Sequence, residues 1–262
     1  MARTTSERRS ITVADGTALV YESRPGSGPT LIMIHGWACR RAHWAAQATL
    51  ADAGYGCISM DLAGHGESSA VEREWSLMSF ARDVLAVMDA EAVQDAVLVG
   101  HSLGGAVAVE LARFAGGRIR ALILADTFVI DYGMLDQQAQ EALYQPFARD
   151  FRREIVGMVR NMACSAPAAL QRRLIRDMAA TDPACALPAW RALLAWNPLP
   201  AFNEIDTPVH AINGSLITPA TRERLQPYMS ETLLAGSGHF PHLEAPQGFN
   251  RAVLDYLNKA QR

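Results

Sequence analysis

The pentapeptide Gly100-His101-Ser102-Leu103-Gly104 sets a serine between two glycines, where an apolar run at 96–99 gives way to a helical pattern at 105–115. Gly-x-Ser-x-Gly arises by chance in roughly one chain in ten of this length, from average residue usage, so the context carries the argument. A serine on a sharp strand-to-helix turn needs glycine neighbours, because a Cβ there would clash. The N-terminus of the following helix directs backbone N–H groups towards that serine. The plainer alternative is an ordinary glycine-rich turn.

A serine hydroxyl is a weak nucleophile without a base. Seven histidines are available. His239, in Gly236-Ser237-Gly238-His239-Phe240, follows the last strand-like run, and a loop at the carboxyl end of a parallel strand opens onto the rim that holds Ser102. His242, three residues on, is the rival. His35, His65 and His101 occupy turn positions that suit loop support, and His43 and His210 read as structural. A catalytic imidazole also needs a carboxylate to hold its tautomer, in the chain order serine, acid, histidine. Asp126 closes the apolar run 121–125 and so stands at the same rim; a turn or helix-cap aspartate is the plainer reading. An oxyanion needs donors as well. The Leu103 amide and the amide of Trp37, in the loop His35-Gly36-Trp37, are the candidates. The Trp37 ring is either a pocket wall or plain packing.

These residues need a scaffold, and the patterning predicts one. Runs 11–13 and 19–22, split by Asp15-Gly16, read as a hairpin. Continuous apolar strands follow at 30–34, 56–60, 96–99 and 119–125, alternating with helices at 41–53, 77–90 and 102–115. Buried strands separated by helices imply a mostly parallel sheet covered on both faces. From 128 to about 200 no strand is expected. Helices are expected at 135–149, 152–162, 167–179 and 188–195, with Pro183, Pro198 and Pro200 as punctuation. Strands return at 209–212 and 231–234, and a helix closes the chain at 247–260. The expected organisation is a discontinuous sheet core, 1–127 and 201–262, with a helical cap insertion at 128–200.

Composition narrows the classes. Half of the residues are hydrophobic, enough for a sizeable core, and the net charge of −3 offers no basic footprint for nucleic acid. No apolar stretch reaches membrane-span length. Residues 1–10 are basic and polar, unlike a secretory signal. Cys39, Cys57, Cys164 and Cys185 form no Cys-x-x-Cys pair and read as reduced thiols in a cytoplasmic protein. No metal-ligand spacing or dinucleotide fingerprint is found, so no cofactor or metal is expected.

Taken together, His35-Gly36-Trp37, the run from Asp61 to Ser68 (Asp-Leu-Ala-Gly-His-Gly-Glu-Ser), Gly100 to Gly105, Gly238-His239-Phe240 and Glu244-Ala245-Pro246 resemble the α/β-hydrolase superfamily, in its order and spacing. The resemblance implies an eight-stranded, mostly parallel sheet flanked by helices. It departs at the acid. Many members carry it after the next-to-last strand, where this chain has Asn213-Gly214-Ser215-Leu216-Ile217, with no carboxylate before Glu223. A minority place it after the preceding core strand, the position of Asp126; Asp131 is the reserve. The reading is a serine esterase of small, fairly apolar esters, with a small molecule as its partner. The alternatives are carbon–carbon hydrolysis, lactone opening, cofactor-free oxygenation, and a slow-turnover ligand sensor.

Overall fold

The computed structural model describes residues 6–69 and 71–260; residues 1–5, the start of the basic N-terminal segment, lie outside the described residues. The short apolar runs form strands β1 (Glu7–Thr12), β2 (Ala18–Arg24), β3 (Thr30–Ile34), β4 (Gly56–Met60), β5 (Ala96–His101), β6 (Ile119–Ala125), β7 (Val209–Asn213) and β8 (Ser230–Leu233). They build one sheet in the order β1-β2-β4-β3-β5-β6-β7-β8. β2 pairs antiparallel with β1 and β4, and every other pairing is parallel. The carboxyl ends of β3, β5, β6, β7 and β8 therefore open onto one rim.

Side chains alternate across a strand, and here both faces are buried. Ile32, Ile34, Leu98, Leu122 and Leu124 share one core with α1 (Leu77–Ala90) and α2 (Leu103–Ala112). Leu31, Met33, Val97, Val99 and Ile123 share the other with Trp44, Leu50, Phe249 and Val253. Ser76 opens α1 with a reciprocal cap to Ser79, which explains why its start is legible.

Segment Arg41–Ala53 is helical, but of the 3-10 kind rather than an α-helix. Its buried residues include Arg41, Trp44, Gln47 and Leu50. That spacing of three matches three residues per turn, which keeps all four on one face.

Between β6 and β7 lie α3 (Gln137–Arg149), α4 (Phe151–Met162), α5 (Ala168–Met178), α6 (Pro183–Leu194) and α7 (Pro198–Glu204). Two of the prolines read as punctuation instead open helices. Pro183 and Pro198 stand in first turns, after Asp182 and Asn197 accept from Ala184 N and Leu199 N. Proline suits that position because its missing N–H has no helical partner there. Pro188 is accommodated inside α6. The later elements are α8 (Pro219–Leu225), the single turn α9 (Pro241–Glu244) and α10 (Pro246–Ala260). No helix among the described residues is long and apolar enough to cross a membrane.

The α2 start packs tightly on the sheet. A Cβ on Gly104 would lie 2.1 Å from the Ile34 carbonyl oxygen, whereas one on Gly157, exposed in α4, would meet nothing within 4 Å. Gly104→Ala should therefore destabilise the protein by about 3 kcal/mol. Gly157→Ala should stabilise it by about 0.5–1 kcal/mol, the helix preference for alanine. Urea unfolding of the two variants measures both; a tolerated Gly104→Ala would contradict the packing described.

Candidate active site

Ser102 stands between β5 and α2 with φ +51° and ψ −117°. This backbone state is rare for a residue with a Cβ, and costs about 1–3 kcal/mol. Backbone hydrogen bonds hold it. Its N–H donates to the Ala125 carbonyl at 3.1 Å, and its own carbonyl accepts from Gly105 N at 2.9 Å. The chain crosses itself so closely that a Cβ on Gly100 would sit 2.3 Å from the Gly104 oxygen.

Asp126 follows β6, also at positive φ (+48°), and is fully buried. Its N–H donates to Ile212 O at 3.1 Å, tying the β6 end to β7. Its carboxylate is held on both oxygens: Gly214 N donates to Oδ1 at 2.7 Å, and His239 Nδ1 lies 2.7 Å from Oδ2. An ionised carboxylate only accepts, so Nδ1 carries the proton and Nε2 keeps its lone pair. The loop after β7, where the commoner arrangement would carry the acid, thus supplies a backbone donor to Asp126. Ile217 is buried in the core instead.

His239 is anchored through its own main chain. Its N–H donates to Met162 O, at the end of α4, at 2.8 Å. Its carbonyl accepts from His101 Nε2 at 2.8 Å. Glu244 closes the loop from behind, accepting from Gly238 N at 3.1 Å and Phe240 N at 3.0 Å. Glu244 was visible in the sequence only as part of a motif; the structure shows what it touches.

Ser102 and His239 line one small cavity of about 20 Å³, together with Trp37, Ile130, Met158 and Tyr132. No hydrogen bond joins the Ser102 hydroxyl to the His239 ring here; such pairs tighten on the way to the transition state. The Trp37 and Leu103 amides have no acceptor among the described residues. The Trp37 ring is both wall and packing. It donates to Ala186 O at 2.6 Å and stacks on Trp190 at 4.7 Å between ring centroids.

The rival residues go elsewhere. His242 is buried against Trp44, with ring centroids 4.3 Å apart. Asp131 pairs with Arg224. Glu223 lies on α8, beside a groove between that helix and β8. His35 accepts from Leu62 N at 3.0 Å, and His65 lies 2.9 Å from the Ala63 carbonyl. His43 Nε2 lies 3.3 Å from Asp177 on α5, and His210 is bracketed by Ser230 and Thr232 at 2.8 and 3.0 Å. Burial pushes the imidazoles of His35, His101 and His242 well below the ordinary histidine range, so they remain neutral. The Asp61-to-Ser68 run is pinned by the buried Asp61 carboxylate, which accepts from Arg41 N at 2.6 Å and Glu67 N at 2.9 Å and pairs with the Arg41 guanidinium. Among the described residues no cluster of His, Cys, Asp and Glu has the makings of a metal site.

A strained serine beside a histidine–aspartate pair and two unpaired amides can perform nucleophilic acyl transfer. The comparisons with known proteins agree on the scaffold. A non-heme haloperoxidase of Rhodococcus erythropolis is 36% identical over 116 residues, 44% of this chain and 42% of the relative. The chain thus matches less than half of that relative's length. Bromoperoxidase from Bacillus anthracis superposes with a TM-score of 0.85 at 22% identity, covering 97% of this chain and 100% of the other, a likeness of fold. The esterase RhEst1 from Rhodococcus sp. ECU1013 superposes at 0.76 with 26% identity, covering 97% and 98%. The alpha/beta hydrolase family model runs from residue 31 to 252, across the core strands and the rim loops alike, and the chain belongs to that family.

Proposed function

We propose that this enzyme is a serine hydrolase of small, fairly apolar esters, working through an acyl-enzyme. The observation that carries the reading is the 2.7 Å contact between His239 Nδ1 and the buried Asp126 carboxylate, at a cavity that Ser102 shares. Ser102 Oγ attacks the ester carbonyl while His239 Nε2 takes its proton. The Trp37 and Leu103 amides receive the oxyanion. As the tetrahedral species collapses, His239 returns the proton to the departing alkoxide, and the alcohol leaves. Water then loses a proton to His239 and attacks the acyl group, Ser102 recovers its proton, and the acid is released. Throughout, Asp126 holds the ring and stabilises the imidazolium. The relatives support this acyl chemistry through the 26%-identical esterase.

The helices inserted between β6 and β7 are the proposed cap, and Met158 and Trp190 bring its apolar side chains to the cavity. A cap of this kind selects substrates by size, since a methylene in an apolar pocket changes rates roughly 10- to 200-fold.

Three outcomes are expected. Ser102→Ala should abolish ester hydrolysis, with a loss of about 10³-fold or more, and abolish labelling by a fluorophosphonate probe while the melting temperature holds. Persistent labelling would point to another serine. Asp126→Asn should cut kcat about 10⁴-fold, as in the serine-protease precedent. Steady-state kinetics should show far smaller losses for Asp131→Asn and Glu223→Gln. Near-native turnover by Asp126→Asn would remove it from the mechanism. Met158→Ala should raise kcat/KM for long-chain relative to short-chain p-nitrophenyl esters by about tenfold; an equal change across chain lengths would mean that Met158 only packs.

A further inference from the structure

The cavity beside Ser102 is nearly spent as a source of hydrogen bonds. Of its polar lining, the Trp37 indole donates to Ala186 O, the Trp190 indole to Leu143 O, His101 Nε2 to His239 O, and His239 Nδ1 to Asp126. Burial pushes the Cys39 thiol upward, which leaves it neutral and a weak donor. Besides the Ser102 hydroxyl and the unpaired Trp37 and Leu103 amides, that leaves the phenol of Tyr132, which has no hydrogen-bond partner among the described residues although the residue is only 1% exposed. The phenol oxygen is not one of the fully enclosed unpaired atoms, such as Trp44 Nε1 and Thr127 Oγ1; it belongs to a residue that lines the cavity, where a ligand oxygen can meet it.

Tyr132 is also held firmly. Its N–H donates to Ile130 O at 2.9 Å, and its carbonyl accepts from Arg224 at 3.3 Å. Arg224 pairs with the neighbouring Asp131, and the Tyr132 ring packs on Trp196. The loop after β6 is thereby clamped to α8, and the phenol is presented on a fixed support. A preorganised donor of this kind reads a substrate at little entropic cost.

We propose that Tyr132 is a specificity-determining hydrogen-bond donor, and that the favoured substrates are esters bearing a second, uncharged oxygen acceptor (an ether or a carbonyl) a few bonds from the scissile carbonyl. The proposal rests on the hydrolase reading above. No lysine or arginine lines the cavity, so a carboxylate there would be buried without a counter-ion, which is strongly disfavoured. Burial raises the pKa of the phenol and keeps it protonated, as a donor must be.

The test uses Tyr132→Phe, which removes one oxygen and keeps the ring. Two isosteric pairs are compared: p-nitrophenyl methoxyacetate with p-nitrophenyl butanoate, and 2-methoxyethyl butanoate with butyl butanoate. The first pair places the acceptor in the acyl chain, the second in the alcohol. The variant-to-wild-type ratio of kcat/KM cancels the intrinsic reactivity of each ester. In at least one pair the oxygen-bearing member should lose about tenfold more than its hydrocarbon counterpart, the size of one buried hydrogen bond. The hydrocarbon ester also reports whether the variant is folded. Independently of any variant, the wild-type enzyme should prefer the oxygen-bearing member of that pair once rates are divided by those of hydroxide hydrolysis. Equal losses within both pairs, or no losses, overturn the role of Tyr132 and leave the hydrolase standing. Failure of the wild-type protein to turn over any of the four esters, with no fluorophosphonate labelling of Ser102, overturns both.

Discussion

The carboxylate of Asp126 is the constraint around which the rim is built. Removing an ionised carboxylate from water costs several kcal/mol unless its lone pairs are met. Here both oxygens are met at 2.7 Å, one by the Gly214 amide and one by His239. Those two donors come from the ends of β7 and β8, while the acid itself ends β6. Three strand ends must therefore lie in register for the charge to be tolerated. The β7 and β8 loops close on each other tightly enough that a Cβ on Gly214 would fall 2.0 Å from the Gly238 oxygen. Loss of either donor would leave a buried charge half-solvated, which makes the arrangement all-or-none rather than graded.

Backbone strain gathers at the same rim. Four non-glycine residues have positive φ among the described residues, and three of them, Ala38, Ser102 and Asp126, lie in the loops after β3, β5 and β6. Such conformations persist only where the surroundings over-determine them. The parallel sheet supplies that surplus: Ser102 is tied to Ala125, Asp126 to Ile212, and Gly104 is pressed onto Ile34. A rigid core thus offsets the cost of three bent loops whose side chains and amides converge on one cavity.

The helices between β6 and β7 do more than cover this cavity. Met162 O, a carbonyl at the end of α4 free of a helical partner, accepts the His239 amide. Ala186 O in α6 accepts the Trp37 indole, and Thr181 donates to Ala38 O at 3.1 Å. The inserted helices therefore hold the histidine loop and the loop after β3 directly. Substitutions in α4 or α6 that shift these carbonyls will therefore disturb the histidine loop and the loop after β3 as well as the shape of the cavity.

Much of the scaffold is legible in residue order because its causes are local. Alternating apolar runs specify strands, the amphipathic spacing from Leu77 to Ala90 marks a helix, and the glycines around Ser102 betray a tight turn. The helix at Arg41–Ala53 was legible but its kind was not, because the face that it buries carries Arg41 and Gln47 beside Trp44 and Leu50, a row that residue polarity does not mark. Asp126 could be reached by exclusion, since the stretch after β7 lacks a carboxylate. Its 2.7 Å approach to His239 spans 113 residues of chain and depends on how β6, β7 and β8 stack. Other features left no mark in residue type. A main-chain acceptor such as Met162 O looks the same at every residue, and an unpaired phenol such as that of Tyr132 is defined only by what fails to surround it. By itself, then, the sequence determined the alternation of elements, the strained serine turn and the short menu of groups that could attack, accept a proton or stabilise charge. Tertiary structure alone decided which of those groups meet and what the cavity between them can recognise, because those properties arise from contacts between segments distant in the chain and from backbone atoms that all residues share.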